Sequence, residues 1–180
     1  MGVIGSLQLA SQQFKGASST LSGTTIVGFQ TGVLLSSPLN EHLSIRPYLL
    51  YSVKGSNYSF GSTSVIRTFN HVAMPVQATY SFDVNTGHIV AGAGPFVAYA
   101  VGGTDKSDSL SAPIEFGSKS GEVRRFDYGL RISIGYELER GLGFMTYYEP
   151  SLANLTNIPS VTAKNSAFGF ALYYLLEAND

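Results

Sequence analysis

The chain has 180 residues, a formal net charge of -1 and only 13% charged residues, whereas globular proteins carry roughly 25%. The near-neutral charge and the absence of a basic patch argue against nucleic acid as a partner, and the absence of cysteine excludes disulfides and thiol chemistry. No apolar run reaches the ~18 residues that a membrane helix needs, whereas 20 glycines, 11 tyrosines and 11 phenylalanines favour strands and turns.

The pattern along the chain predicts eight strands. No segment of ten or more residues has a period of 3.6, so we expect almost no helix. The predicted strands cover 2–11, 25–36, 42–54, 66–82, 88–102, 122–139, 142–152 and 165–176. Because no linker separates them, we expect one domain over residues 1–180.

The connections between these strands alternate between long and short. The long ones are 11–23, 55–65, 103–121 and 153–164, and the short ones are 37–41, 83–87 and Arg140-Gly141. Eight up-and-down strands with both termini on one side give this order. Short turns on one side and long loops on the other are typical of bacterial outer-membrane barrels. A β-sandwich with uneven loops is the alternative that this order leaves open.

The sixth predicted strand indicates which face lies inside. A bulky row from Phe126 to Leu138 alternates with a row of charged and small residues, so the period is two. The interior of an eight-stranded barrel is just wide enough for side chains to fill. The bulky row would overfill it and is therefore predicted to face lipid. The predicted lipid-facing residues are Phe126, Tyr128, Leu130, Ile132, Ile134, Tyr136, Phe168, Phe170, Leu172 and Tyr174.

Other features of the strands agree with a membrane barrel. The row opposite the bulky one in the eighth strand is small, with Ala167, Gly169 and Ala171. The five lysines are interpreted as lying in loops or at strand ends: Lys15, Lys54, Lys106, Lys119 and Lys164. The 13 residues from Phe126 to Leu138 extend about 43 Å, and with the usual tilt this rises about 33 Å, enough for an apolar band of about 25 Å.

Two prolines lie inside predicted strands. Pro75 is in the fourth strand and Pro95 is in the fifth, and each lacks the N–H that a sheet ladder needs. If the turn at 83–87 joins these strands, the prolines come close together across the hairpin. We therefore predict a bulge or a gap in the ladder there.

Several short motifs resemble those of a known family. They are Met74-Pro75, Gly92-Ala93-Gly94-Pro95-Phe96, Phe126-Asp127-Tyr128-Gly129 and Leu152-Ala153-Asn154. With the opening GVIGSLQLAS, they resemble the PorT-type outer-membrane β-barrel domain of Gram-negative bacteria. Members often finish on an aromatic residue, whereas this chain ends YYLLEAND. The resemblance implies an eight-stranded outer-membrane barrel and no single activity; the namesake is associated with a protein secretion and gliding apparatus.

We therefore predict an all-β fold, an eight-stranded antiparallel up-and-down transmembrane β-barrel. It would lie in the outer membrane of a Gram-negative bacterium, with extracellular long loops and periplasmic termini. The sequence shows no signal peptide, because Met1-Gly2 leads straight into a strand-like segment; an exported chain is expected to have lost its signal.

The charges within strands lie opposite the bulky row, which predicts a polar network in the lumen. Arginines and carboxylates are expected to pair there, because unpaired charges are costly at low dielectric. Such a network either plugs the barrel or forms a proton or ion path. The predicted members are Arg46, Arg125, Asp127, Arg131, Glu137, Glu149, Gln77 and His71, with Gln30, Tyr48, Tyr147 and Tyr173 as polar neighbours.

No motif in the sequence points to catalysis. The three histidines, His42, His71 and His88, are interpreted as surface or lumen residues, and no nucleophile elbow, zinc motif or phosphate loop is present. We expect no catalytic residue, metal or cofactor. Loop 103–121 carries both positive and negative side chains, which is typical of a solvated loop and also compatible with a ligand site.

Three functional hypotheses remain. The first is a non-enzymatic structural or accessory subunit of a larger envelope complex for secretion, transport or assembly, with lipid and other envelope proteins as partners. The second is a small pore or ligand-binding barrel, and the third is a lipid-modifying enzyme. Outward Gly5, Ala78, Ala91 and Ala93 leave room for a neighbouring chain, which lipid could equally fill.

Overall fold

Eight long antiparallel strands close into a ring. The computed structural model describes residues 1–16, 20–60, 63–107 and 110–176, with backbone only at 21, 22, 60 and 63. The strands are β1 Gly2–Lys15, β2 Thr24–Leu34, β3 Leu43–Phe60, β4 Thr63–Val84, β5 Gly87–Ser107, β6 Phe126–Leu138, β7 Leu142–Pro150 and β8 Thr162–Leu175. In the described part of the chain, no helix is long and apolar enough to cross a membrane.

Closure of the ring depends on the first and last strands. β1 pairs with β8 over its whole length, from Gly2 opposite Leu175 to Lys15 opposite Thr162. Every other strand pairs with its neighbour in the chain. The described sheet therefore closes on itself, as a sheet in a membrane must, because backbone groups in hydrocarbon need partners within the protein. The predicted all-β, eight-stranded up-and-down barrel is confirmed.

Three short strands pair with strands of the ring. They are Thr20–Ser22, which pairs with the end of β1, Ser37–Pro38, which pairs with β3, and Ser111–Pro113, which pairs with β5. At the opposite end from the long loops, the connections are 35–42, 85–86 and 139–141. Between β6 and β7, Gly141 has a φ of 80°, a left-handed conformation that glycine adopts without strain.

Side chains alternate between the two faces as the sequence predicts. In β6 the row containing Asp127, Gly129 and Arg131 is turned inward, and the row containing Leu130 and Ile132 is turned outward. Nine of the ten predicted lipid-facing residues are exposed large hydrophobics, and Tyr136 is partly exposed. The interior is therefore polar or small, and the exterior is apolar.

Six of the eight strands run further on the loop side than the sequence predicts, whereas β6 and β7 are shorter there. The prediction of a long loop over 55–65 is wrong for 55–60 and 63–65, and 61–62 lie outside the described residues. β3 and β4 stay paired from Gly55 opposite Thr68 to Phe60 opposite Thr63. The interior stays packed here, because Ser56 and Tyr58 are buried. The wall thus continues well beyond the outward aromatic pair of Phe29 and Tyr51.

The prolines interrupt the ladder as predicted. β4 and β5 are paired at Pro75 opposite Phe96 and again at Ala78 opposite Ala93, with no pairs between and no change in register. Pro75 and Pro95 therefore lie close together across the hairpin. A separate register shift occurs between Asn70 and His71.

The long connections fold over their end of the barrel. Val123 bridges to Phe116 and to Thr156, so strand six begins at Phe126 rather than at the predicted 122. A buried cluster lies beneath: Phe69, Ile114, Val123, Ala153, Leu155 and Ala163, with Phe14 and Phe116 packed against it. We call residues 114–125 and 151–161 the loop cap.

Candidate functional site

The centre of the lumen holds an ion-pair network around Glu149. Its two carboxylate oxygens lie 2.7 Å from Lys54 Nζ and 2.6 Å from Arg131 NH1. Gln30 Nε2 also donates to Glu149, at 3.2 Å. Glu149, Arg131 and Lys54 are each less than 5% exposed. The single carboxylate therefore ties β3, β6 and β2 to β7 across the barrel.

Aromatic rings and amides fill the space around this network. The guanidinium of Arg131 lies 3.8 Å from the ring centre of Tyr147 and 5.4 Å from that of Tyr48, close enough for cation–π attraction. Tyr147 donates to Gln8 Oε1 at 3.2 Å, and Gln8 Nε2 donates to Ser52 Oγ at 3.2 Å. The lumen at this level is therefore packed with side chains.

A second ion pair lies nearer the short turns. Arg46 NH1 is 2.8 Å from Glu137 Oε2, and Tyr173 donates its hydroxyl to the same oxygen at 2.8 Å. A cavity of about 10 Å³ beside Arg46 and Ser133 has room for about one water molecule. The lumen is therefore nearly full at this level as well.

A third set of contacts lies towards the loop cap. Asp127 accepts hydrogen bonds from Ser151 Oγ and from Asn165 Nδ2. Gln12 donates to Asn165 Oδ1 at 2.9 Å and accepts from the Tyr58 hydroxyl at 2.9 Å. Polar contacts thus occur at successive levels from the short turns to the cap.

Seven of the eight predicted lumen residues fall into two groups. Arg46, Glu137, Arg131 and Glu149 form the ion pairs described above. Asp127 is bonded to neutral groups, Gln77 donates to Ser133 Oγ at 2.9 Å, and His71 packs against Phe69 with ring centres 5.8 Å apart.

Arg125 lies apart from these networks. It precedes β6 at the rim, where it donates to the carbonyl of Ala100 at 2.9 Å. Its guanidinium lies 4.6 Å from the ring centre of Phe116, so it supports the loop cap. Because the strand starts at Phe126, Arg125 belongs to the cap rather than to the wall.

Lys54 is the most informative residue that the sequence analysis missed. Its assignment to a loop or strand end is wrong, because β3 runs on to Phe60. The signal was present in the alternation: Lys54 shares the parity of Arg46 and Tyr48, opposite Leu49 and Tyr51. Four other residues were missed for a different reason, because neutral side chains are less distinctive than charges. They are Gln8, Gln12, Ser52 and Asn165.

Some buried polar atoms have no partner among the described protein atoms. They are His42 Nδ1, His71 Nδ1, Gln77 Oε1, Arg46 Nε, Arg131 Nε and Arg131 NH2. In the described residues, no group of three or more histidine, aspartate or glutamate side chains has the arrangement of a metal site. His88 lies near the short turns, 2.8 Å from Asp83, and His71 lies in the lumen.

Comparison with known proteins shows which family the chain belongs to. Residues 1–157 match the model of the outer membrane protein beta-barrel domain. The chain belongs to this family. The match does not single out the PorT-type members. No curated protein sequence matches the chain.

The chain is similar to several solved structures at low sequence identity. Neisserial surface protein A is 10% identical with a TM-score of 0.58, covering 98% of this chain and 99% of that one. The outer membrane enzyme PagL is 12% identical with a TM-score of 0.47, covering 94% and 99%. Ail, the attachment invasion locus protein of Yersinia pestis, is 11% identical with a TM-score of 0.41, covering 96% and 98%. The likeness to the neisserial protein supports the fold alone.

Proposed function

We propose that this chain is a non-enzymatic, PorT-type outer-membrane barrel that serves as a structural or accessory subunit of a larger envelope assembly. The observation that carries the proposal is the filled lumen. Ion pairs at Glu149 and Glu137 join opposite walls, and aromatic and amide side chains occupy the space between. A barrel built in this way works through its outer surfaces.

The same observation weighs against a pore. Passage of an ion would require the Lys54–Glu149–Arg131 group to open, and separating buried, paired charges is costly. The enzyme alternative finds little support in the histidines, because His71 is enclosed in the lumen and His88 lies at the short-turn end.

We also propose an orientation, with the loop cap outside the cell and both termini in the periplasm. An even number of strands puts both termini on one side. In outer-membrane barrels the short turns are periplasmic and the longer loops extracellular. Here the two-residue turn between β4 and β5 lies on the side of the termini, and the cap lies on the other.

Co-purification from native membranes tests the proposed role. An affinity-tagged chain would be crosslinked in intact cells, extracted in mild detergent and compared with an unrelated tagged outer-membrane barrel of equal abundance. We expect specific, stoichiometric recovery of envelope proteins with this chain. Recovery of the same background proteins with both barrels, together with ion conductance or lipid hydrolysis by the purified chain, would overturn the role.

A further inference from the structure

A cavity of about 140 Å³ lies between the loop cap and the barrel wall. Its floor includes Gln12 and Phe14 of β1 and Arg67 of β4, and its roof includes Leu155 and Thr156 of the cap. It is separate from the ion-pair networks deeper in the lumen. The cavity is therefore a feature that the proposed structural role does not use.

The cap that roofs the cavity is held by side-chain hydrogen bonds. Asn154 Oδ1 accepts from the amide of Ala163 at 2.8 Å, and Asn154 Nδ2 donates to the carbonyl of Val161 at 3.1 Å. Asn157 Nδ2 donates to the carbonyls of Gly117 and Glu122 at 2.8 and 3.1 Å. Asn157 thus ties the two halves of the cap together, and Asn154 ties the second half to Val161 and to the start of β8.

The size of the cavity sets the size of an occupant. An enclosed protein cavity of about 150 Å³ holds one benzene molecule. A cavity of about 140 Å³ therefore suits a single six-membered ring. The exposed Ile158 and Gly121 also line it, so substituents on such a ring can reach the surface.

The lining disfavours an anion and combines polar with apolar side chains. Arg67 is neutralised by Asp105 through two parallel hydrogen bonds of 2.7 and 2.5 Å. The other charged lining residue is Glu122, so an anion would meet no unbalanced cation in the lining. The polar part of the lining includes Thr156 and Gln12, and the apolar part includes Phe14 and Leu155. A sugar ring has hydroxyls that donate and accept, and a C–H face that packs on apolar side chains.

We propose that the cavity beneath the loop cap binds one neutral sugar ring, with its hydroxyls towards Arg67, Glu122 and Thr156 and its C–H face on Phe14 and Leu155. The ring comes either from a free monosaccharide or from the end of a glycan. This binding does not depend on the structural role proposed above.

Titration of the full chain in lipid nanodiscs tests the site. Methyl glycosides of glucose, galactose, mannose and N-acetylglucosamine would be added up to tens of millimolar, and the amide shifts of Ala163 and Thr156 followed by NMR. We expect saturable shifts with at least one glycoside. Ala163→Leu, which fills the cavity, and Thr156→Val, which removes a hydroxyl, should each weaken binding at least tenfold. Leu110→Ala, at an exposed residue outside the lining, should leave it unchanged.

Comparison probes make the result decisive. An oligosaccharide ending in the bound sugar separates the sources: equal binding identifies a glycan end, and loss of binding identifies a free monosaccharide, and both support the site. The proposal is overturned if no glycoside gives saturable shifts, if both cavity variants bind as the wild type does, or if benzyl alcohol or inorganic phosphate binds in place of the glycosides.

Discussion

The carboxylate of Glu149 neutralises two buried cations at once. Lys54 and Arg131 lie on strands that do not pair with each other, and both contact it within 2.7 Å. Removing its charge would leave two cations enclosed without a counterion. The residue therefore links packing, charge balance and closure of the lumen.

Glu149→Gln should lower the free energy of unfolding by about 3–5 kcal/mol, the usual cost of removing one partner of a buried ion pair. Reversible urea unfolding in lipid vesicles measures it. Glu139→Gln, at an exposed residue near the short turn, is the matched control and should stay within about 0.5 kcal/mol of the wild type. Equal stability of the two variants would mean that the Glu149 pairs contribute nothing.

Asn154 is the residue that best explains a motif found in the sequence. Its side chain satisfies the amide of Ala163 and the carbonyl of Val161, which closes the loop that follows Leu152-Ala153-Asn154. The sequence showed the motif but gave no role for it, because its partners lie up to nine residues further along the chain.

Asn154→Ala should loosen the cap without unfolding the barrel, since it leaves a buried amide unsatisfied at a cost of about 1–3 kcal/mol. Hydrogen exchange of the Ala163 amide should accelerate by tenfold or more, while the Leu172 amide in the wall stays protected. Asn85→Ala, in the turn at the opposite end, serves as control. Unchanged protection of Ala163 would contradict this account of the motif.

At the scale of the strand, the period-two pattern predicted which face is outside. The eight strands and their inward and outward rows follow from the alternation, because a narrow lumen excludes bulky rows. The pattern did not predict the ends of the strands that extend beyond the apolar outer surface of the barrel. In 55–65 neither face is strongly apolar, so serine, asparagine and glycine there suggested a loop, whereas pairing between Gly55 and Thr68 continues the wall. Lys54 was misplaced for this reason.

A charged side chain on the outward face of β8 should lower the free energy of unfolding far more than a different apolar side chain does. Phe170 lies on that face with 59% of its surface exposed. Phe170→Arg should destabilise the barrel by about 2–4 kcal/mol, the cost of arginine near the bilayer midplane, while Phe170→Leu should cost less than about 1.5 kcal/mol. Urea titrations in vesicles give both values. A difference below 1 kcal/mol would place Phe170 away from hydrocarbon.

For the molecule as a whole, the filled lumen predicts a barrel that does not conduct. Purified protein in planar bilayers should give no resolvable current steps. Arg131→Ala, which removes a side chain that packs between Tyr48 and Tyr147, should be the variant most prone to brief leaks. Steady conductance in the wild type that Arg131→Ala changes would favour the pore hypothesis instead.

The central claim is that the bulky alternate rows contact lipid, and the absence of cysteine allows a direct test. Single cysteines from Tyr128 to Ile134 would carry a nitroxide in lipid vesicles, and collision rates with oxygen and with a water-soluble nickel chelate would be measured. Positions 128, 130, 132 and 134 should collide mainly with oxygen, which concentrates in hydrocarbon, while positions 129, 131 and 133 should be shielded. The same period with the chelate favoured at the even positions would contradict the account.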